Sequence, residues 1–256
     1  MVTVIFPAAG QGKRMQAGMN KVFMSLGGIP ILLRTLLKYS SCGEIDQMVV
    51  VVADYEVEFV RTMLKKVPGL KPYKVVAGGS ERQYSVLNGI RSVQGRDDDI
   101  ILVHDAARPF VSHKVILDTI YAVKQFGGAI AAVPAKNTIK ICDPYGMVED
   151  TPDRSCLWEV QTPQGFQRQN LLEAYDQALA EGFLGTDDAS LVERLGRSVR
   201  VVESDYKNIK ITTPEDILIG EAFIQAEDEL LPVIPPEVLT EIRELIQEKW
   251  QGSEGR

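Results

Sequence analysis

Small residues are followed directly by cations close to the N-terminus, between Pro7 and Lys21. An apolar run, Val2 to Phe6, leads into this segment and reads as a buried strand. Residues with little or no side chain let a ligand approach backbone N–H groups closely, and cations complete what a polyphosphate needs. The small residues are Ala8, Ala9, Gly10 and Gly12, and the cations are Lys13, Arg14 and Lys21.

Two common phosphate-binding motifs do not fit this segment. A dinucleotide fingerprint needs a third glycine where Met15 stands, and a Walker A loop needs Ser or Thr where Arg14 follows Gly12-Lys13. The segment therefore predicts a nucleoside triphosphate held by cations as well as by the backbone. The alternative is a tight connection after a strand with solvated charges.

Composition limits the possible classes of protein. The chain has 256 residues, enough for one large domain or one domain with an appendage, and it carries a net charge of −7, which argues against a general nucleic-acid binder. It has no apolar run of roughly 18 residues and no signal-peptide pattern, so we expect no membrane partner. Three widely spaced cysteines suggest reduced thiols and a cytoplasmic location.

Apolar strands alternate with helices over the first half of the chain. Such a pattern predicts an α/β fold with a mostly parallel sheet covered on both faces, in which ligands bind at the carboxyl ends of strands. Polar segments follow three of these strands, so they can converge on one crevice. The predicted strands are Val2–Phe6, Gln47–Ala53, Tyr73–Ala77, Ile100–Val103 and Ala129–Val133, and the predicted helices are Ile29–Tyr39, Asp54–Lys66 and Ser112–Phe126.

A hairpin interrupts this alternation. Thr138–Cys142 and Met147–Thr151 alternate around the turn signal Asp143–Gly146. An isolated hairpin is marginal, and this one has apolar side chains to cover. We expect residues 137–164 to contain an arm that packs on another subunit; the alternative is a hairpin folded back on its own domain.

The remaining chain predicts further helices and two short strands. Gln169–Glu181 is helical, Thr186 caps the next helix, and Thr213 opens a helix to Ala226; the strands are Ser198–Val202 and Asn208–Thr212. Residues 1–226 form the main domain in this interpretation. Residues 227–256 look like an addition, with one amphipathic helix that docks on the domain or on a partner.

At this point the chain resembles the 2-C-methyl-D-erythritol 4-phosphate cytidylyltransferases of the non-mevalonate isoprenoid pathway. The matching segments keep the family's order over nearly all of residues 1–226. They are Pro7-Ala-Ala-Gly-x-Gly-x-Arg14-Met15, Lys21, Gly78-Gly79-x-x-Arg82-x-x-Ser85-Val86, His104-Asp-Ala-Ala-Arg-Pro109, Thr138-Ile-Lys140, Asp153-Arg154, Leu157-Trp158, Gln161-Thr-Pro-Gln164, Thr186-Asp-Asp-Ala189 and Asn208-Ile-Lys-Ile-Thr212 before Pro214-Glu-Asp216.

The resemblance implies a Rossmann-like nucleotidyltransferase fold and transfer of CMP from CTP to methylerythritol phosphate with Mg²⁺. It also implies a homodimer in which each arm reaches the partner's active site. A phosphate nucleophile is already anionic, so the chemistry calls for cations and backbone donors rather than a strong base.

The resemblance also implies roles for individual residues. The catalytic residues would be Arg14, Lys21, Arg154 and Lys210. The nucleotide-binding residues would be Pro7, Ala8, Ala9, Gly10, Gly12, Gly79, Ser80 and Ser85. The polyol phosphate would be bound by Asp105, Ala106, Arg108, Thr138, Thr162 and Thr186.

Some positions depart from the family pattern or stay open. Ser80 and Asn137 stand where the family commonly has Asp. Asp105 can bind Mg²⁺, the polyol or both, and His104 is interpreted as structural.

Three rival functions fit the sequence less well. A ribitol 5-phosphate cytidylyltransferase would carry Leu-Ala-Gly-Gly and Ala-Val-Arg-Pro where this chain has Pro7–Gly10 and Ala106–Pro109. A silent nucleotide-binding module would have lost cations such as Arg14 and Lys210, which are present. An NAD-dependent oxidoreductase fails on the missing third glycine.

Overall fold

The computed structural model describes residues 1–10, 19–226 and 234–251. The described residues form a seven-stranded sheet in the order β11-β7-β10-β6-β1-β4-β5, in which β10 alone runs antiparallel to its neighbours. The mostly parallel sheet predicted from the sequence is therefore confirmed. The strands of this sheet are β1 Val2–Pro7, β4 Gln47–Val52, β5 Tyr73–Ala77, β6 Ile100–Val103, β7 Gly128–Pro134, β10 Trp158–Gln167 and β11 Arg200–Glu203.

Alternating side chains of the sheet enter two apolar layers. Val4 and Phe6 of β1 face one layer, and Ile5 between them faces the other. Both layers need helices to exclude water, which explains the near-continuous apolar runs of the central strands. The first layer holds α1 Ile31–Ser40, α2 Val57–Lys65, α4 His113–Phe126 and α8 Pro236–Gln251, and the second holds α3 Arg82–Arg91, α5 Arg168–Ala180 and α6 Asp188–Arg194.

Two elements of the main sheet and its covering layers were absent from the sequence prediction. Helix α3 begins directly after the polar segment that follows β5, and Gly89 lets it approach the sheet, since a Cβ there would stand 2.7 Å from Ile5 Cγ2. Strand β10 pairs with both β6 and β7, so residues 158–164 belong to the main sheet. The span 137–164, expected to contain the arm, therefore also holds the first part of β10.

Three smaller predictions are wrong. Residues 208–212, all within the described part of the chain, form no strand. One backbone hydrogen bond, from Ile211 N to Ala107 O at 2.8 Å, ties them to the loop after β6. Asp187 rather than Thr186 caps α6, because its carboxylate accepts from Ser190 N at 2.9 Å. Asp54 lies in a 3-10 turn, Asp54–Glu56, ahead of α2.

The arm is a small ribbon outside the main sheet. Its strands, β8 Ile141–Cys142 and β9 Val148–Asp150, are antiparallel, and the turn between them contains Gly146 at φ 85°. The other ribbon of the described chain, β2 Ser25–Leu26 with β3 Ile29–Pro30, leads into α1. α7, Pro214–Ala226, follows the loop after β11. Across the described ranges, no helix is both long and apolar enough to cross a bilayer.

Candidate active site

A cleft of about 380 Å³ opens at the carboxyl ends of β1, β5 and β6. The three polar segments that follow these strands meet there, and residues from the loop before α7 close one side. Its described lining residues are Pro7, Ala8, Ala9, Gly10, Asn20, Lys21, Val22, Gly79, Ser80, Glu81, Arg82, Ser85, Asp105, Ala106, Ala107, Lys210 and Thr212.

Small residues bring the β1 and β5 loops together. A Cβ on Gly78 would stand 2.8 Å from Ala9 Cβ and 2.7 Å from Ser85 Oγ, so only glycine allows this approach. The Ser85 hydroxyl accepts from Gly79 N at 3.1 Å and lies 3.0 Å from Glu81 O. Ser85 thereby fixes the start of α3 against the cleft, in addition to lining it.

Asn20 and Lys21 are placed by a short 3-10 helix, Lys21–Phe23. The Asn20 side chain accepts from Val22 N and donates to Ala8 O at 2.7 Å, which ties this turn to the β1 loop. Lys21 Nζ donates to Ile211 O at 2.7 Å. The cation predicted from the sequence therefore lies between the β1 loop and the loop that carries Lys210.

Asp105 is surrounded by three cations. Its carboxylate lies 2.7 Å from Lys210 Nζ, 3.6 Å from Arg82 Nε and 3.7 Å from Arg108 Nε. Burial alone would raise the pKa of Asp105, but attraction to Lys210, Arg82 and Arg108 outweighs it, so this pKa lies below its ordinary value. Asp105 is therefore ionised at neutral pH and suits hydrogen-bond acceptance rather than proton donation.

Arg82 connects the cleft to a buried carboxylate behind it. Its guanidinium donates to both oxygens of Asp188, at 3.0 and 2.8 Å, and the Tyr175 hydroxyl donates to the same carboxylate. Burial opposes the charge on Arg82, yet Asp188 and Asp105 together raise its pKa above the ordinary value. Sequence reasoning gave Arg82 no role of its own; its place in the segment matched to the family was the signal available.

A hydrogen-bond chain beneath the cleft fixes the backbone at Asp105. Thr162 Oγ1 accepts from Asp105 N at 3.1 Å and lies 3.1 Å from His104 Nδ1, while His104 Nε2 lies 3.0 Å from Arg108 O. The Arg108 carbonyl can only accept, so Nε2 carries the proton and Nδ1 accepts from Thr162. Burial lowers the pKa of His104 to about 4, so the ring is neutral at pH 7 and acts structurally.

The predicted site residues divide into three groups. Those gathered at the cleft are Pro7, Ala8, Ala9, Gly10, Lys21, Gly79, Ser80, Ser85, Asp105, Ala106 and Lys210. The described lining of the cleft does not include Arg108, Thr138, Arg154, Thr162 or Thr186. Gly12 and Arg14 lie outside the described residues.

Arg108 and Thr162 support Asp105 from behind, whereas Thr138 and Arg154 are exposed on and beside the arm. Arg154 donates to Lys136 O at 2.7 Å. Thr186 is exposed just before α6. The substrate contacts assigned to these residues stay predictions.

The described donor set does not fit a magnesium ion held by the protein itself. Asp105 is bonded to Lys210 and flanked by two guanidiniums, and the described residues contain no group of three or more His, Cys, Asp or Glu side chains able to hold a metal. Mg²⁺ commonly binds through one or two carboxylates together with substrate phosphates. Asp105, whose charge is already paired with these cations, is therefore a poor single ligand for Mg²⁺.

The sheet, the small-residue loop and the gathered cations define a nucleotide-binding α/β protein of Rossmann-like architecture. The family model described as 2-C-methyl-D-erythritol 4-phosphate cytidylyltransferase matches residues 2–226. The chain belongs to this family.

Named relatives agree over the same residues. The 2-C-methyl-D-erythritol 4-phosphate cytidylyltransferase of Caldanaerobacter subterraneus subsp. tengcongensis is 45% identical over 225 residues, which cover 88% of this chain and 99% of that protein. The protein of the same name from Geotalea uraniireducens is 48% identical over 227 residues, with 88% and 97% covered.

A solved structure also resembles this chain. The 4-diphosphocytidyl-2C-methyl-D-erythritol synthase of Anaerococcus prevotii superposes with a TM-score of 0.79 at 33% identity, and the match covers 88% of this chain and 96% of that one.

Proposed function

We propose that this protein transfers CMP from CTP to 2-C-methyl-D-erythritol 4-phosphate and releases pyrophosphate. The observation that carries the proposal is the cleft itself, where the small-residue loop after β1 faces Lys21, Arg82 and Lys210. These cations are concentrated in a protein whose net charge is −7. Family membership supports the choice of nucleotide and acceptor.

In the proposed reaction, a phosphate oxygen of the acceptor attacks the α-phosphorus of CTP. The new P–O bond forms as the bond from this phosphorus to the oxygen bridging to the β-phosphate breaks, and that electron pair leaves with pyrophosphate. No proton has to be removed from the nucleophile. The protein's task is to hold two anions together and to stabilise charge at the α-phosphate.

The cleft divides into a nucleotide side and an acceptor side. The loop Pro7–Gly10 with Gly79, Ser80 and Ser85 would hold the nucleotide, and Lys21 with Arg14 would stabilise the triphosphate as it reacts. Lys210 and the ionised Asp105 would bind the acceptor's phosphate and hydroxyl groups, respectively. The 2.7 Å contact between Lys210 and Asp105 supports this assignment, because it holds both groups in place before substrate arrives.

The arm supports a homodimer as the working form. Apolar side chains of the arm are exposed in the single chain, among them Tyr145 at 92% and Met147 at 68%. Thr138 and Arg154 are also exposed, on and beside the arm. We propose that each arm packs on a second copy of the chain and brings these two residues to the partner's cleft.

Two further assignments follow from the same proposal. Since Asp105 is engaged by cations, we propose that Mg²⁺ enters with the triphosphate rather than occupying a site built by the protein. Cys42, Cys142 and Cys156 are free thiols, which supports a cytoplasmic location. The absence of nucleic-acid and membrane partners stays a prediction from composition.

Pyrophosphate release tests the proposal directly. The protein is incubated with CTP and Mg²⁺ and with either methylerythritol 4-phosphate or ribitol 5-phosphate as acceptor. We expect release with methylerythritol phosphate and a far lower rate with ribitol phosphate. A preference for ribitol phosphate would keep the reaction but overturn the acceptor, and release with neither would overturn the function.

A further inference from the structure

The C-terminal helix α8 lies beyond the part of the chain that the family model matches, which ends at residue 226. It is nevertheless integrated into the apolar layer on one face of the sheet, where Ile242 is fully buried and Ile246 nearly so. Polar contacts hold its outer side, since Lys66 pairs with Glu241 at 2.5 Å and Arg243 donates to Gly28 O at 2.9 Å. The helix is therefore a packed element that the family's reaction does not account for.

The last turn of α8 joins an aromatic cluster. The centroid of the Trp250 ring lies 4.9 Å from that of the Phe23 ring and 5.0 Å from that of the Phe59 ring. The centroids of the two phenylalanine rings are 5.3 Å apart. Aromatic pairs at these separations contribute beyond their buried area. Phe59 belongs to α2, so Trp250 covers a junction between the tail, α2 and the 3-10 turn that ends at Phe23.

Phe23 is two residues from Lys21 in the same 3-10 turn, and this turn forms one wall of the cleft. The turn is short, and Phe23 N donates to Asn20 O at 3.0 Å, so a shift of the Phe23 ring would move the residues at the start of the turn. Asn20 in turn holds Ala8 O. The aromatic cluster thus lies directly behind the side chains assigned to the nucleotide.

A second connection from α8 reaches the same point. Lys249 donates to Tyr55 O at 3.0 Å. Its charge also favours the ionised form of the neighbouring Glu56, whose pKa is raised chiefly by burial. The Glu56 carboxylate accepts from Asn20 Nδ2 at 3.3 Å and from Ala53 N at 3.2 Å. Two neighbouring residues of the tail therefore support both ends of the Asn20–Phe23 turn.

We propose that α8 is a positioning element for the nucleotide side of the cleft, with Trp250 as its principal contact. Trp250 is not among the described lining residues of the cleft, so its effect passes through Phe23 to Lys21 and Asn20. The acceptor side, built from Asp105 and Lys210, receives its support from Arg82, Arg108 and Thr162 instead. The KM test of this inference rests on the proposed function, whereas the CTP-binding test does not.

The test compares Trp250→Ala with Trp250→Phe in the full-length chain. We expect Trp250→Ala to weaken CTP binding by calorimetry, without acceptor, and to raise the KM for CTP, each about tenfold, while the KM for methylerythritol phosphate stays within about twofold. Trp250→Phe keeps a ring against Phe23 and should restore most of the CTP affinity. Ile120→Ala, in the buried face of α4, is the control for general destabilisation and should lower the melting temperature without changing CTP binding.

Two results with Trp250→Ala would overturn the inference. One is a Trp250→Ala protein with a lowered melting temperature but unchanged CTP binding, which would make α8 a stabiliser of the fold alone. The other is an equal rise in the KM values of both substrates. A wild-type protein that binds CTP but transfers nothing would defeat the proposed function, whereas the effect of Trp250→Ala on CTP binding would still decide this inference. A wild-type protein that does not bind CTP would defeat both.

Discussion

The cleft and the arm meet their hydrogen-bonding and burial requirements in opposite ways. In the cleft, Asp105 is buried, ionised and bonded on several sides by the same chain. On the arm, Ile141 is 48% exposed and Tyr145 is 92% exposed, although the ribbon itself consists of two very short strands. Isolated hairpins of this size are marginal in water. The cleft is thus preorganised within one chain, whereas the arm has an apolar surface suited to a partner.

Lys210 and Arg154, the two cations that the family resemblance implies at the acceptor phosphate, show the same contrast. Lys210 is held 2.7 Å from Asp105 inside the cleft. Arg154 bonds to Lys136 O, outside the described lining of that cleft. In the proposed dimer, the Lys210 and the Arg154 that act on one acceptor phosphate come from different chains. Variants of each residue therefore probe different parts of one proposed site.

The largest effect is expected for Lys210→Ala. Removing the charge that faces the reacting phosphates should lower kcat by about 10²–10³-fold, the range seen when one stabilising donor is lost. Pyrophosphate release under single-turnover conditions measures it. Lys207→Ala, an exposed cation three residues earlier on the same loop, serves as the control and should retain near wild-type turnover. A loss of less than about threefold for Lys210→Ala would remove Lys210 from the proposed chemistry.

A smaller loss, about 10²-fold in kcat/KM for the acceptor, is expected for Arg154→Ala. CTP binding measured by calorimetry should be unchanged, because the proposal places Arg154 at the acceptor phosphate and not at the nucleotide. Glu149→Gln on the same arm provides the control. Equal weakening of CTP binding would contradict the division between the two substrates.

Arg82→Lys should lower kcat about tenfold by disturbing a positioning residue. Lysine keeps the charge but cannot make the two parallel bonds to Asp188. The substitution also removes the guanidinium that attracts Asp105. The KM for the acceptor should rise while the KM for CTP changes little. Arg91→Lys is the matched control, because Arg91 lies on the same helix as Arg82 and pairs with Asp176 at an exposed position. A pure loss of thermal stability with unchanged kinetics would assign Arg82 to folding alone.

His104 should make folding stability depend on pH in a predictable direction. Its pKa is lowered to about 4 in the folded chain against an ordinary 6.5, so the unfolded chain binds the proton first as pH falls. Stability is therefore complete above about pH 6.5 and is lost progressively down to about pH 4. A gap of about 2.5 pH units at about 1.4 kcal/mol each gives a loss of roughly 3–4 kcal/mol.

Urea unfolding between pH 4 and 7 measures this contribution. The free energy of unfolding of His104→Asn should fall less steeply toward pH 4 than that of the wild type. Identical slopes for the wild type and His104→Asn would contradict the buried, neutral imidazole.

Much of the cleft follows from sequence because its parts are local. Apolar runs mark β1, β5 and β6, and the polar residues directly after a strand must lie at its carboxyl end. This placed Ala8, Gly79 and Asp105 together without knowledge of distances. The carboxyl ends of parallel strands lie on the same side of a sheet whatever the strand order. The convergence of these three polar segments could therefore be predicted without knowing the topology.

The missed features depend on contacts between distant segments. Helix α3 has a weak apolar pattern, because Gly89 packs closely on Ile5 where a larger residue would otherwise signal burial. β10 was not predicted, because its pairing with β6 and β7 is set by tertiary contacts rather than by its own residues. The bonds of Arg82 to Asp188 and of Asn20 to Glu56 join residues far apart in sequence, which no local spacing predicts.

The most direct test of a cleft completed by a second chain is complementation between two inactive variants. Lys210→Ala and Arg154→Ala chains with different tags are co-expressed, and the mixed dimer is purified. If each arm serves the partner's cleft, the mixed dimer contains one site with both cations intact and recovers about half of the wild-type turnover. If each arm serves its own cleft, both sites of the mixed dimer lack one cation, and recovery no greater than that of either parent would contradict the account.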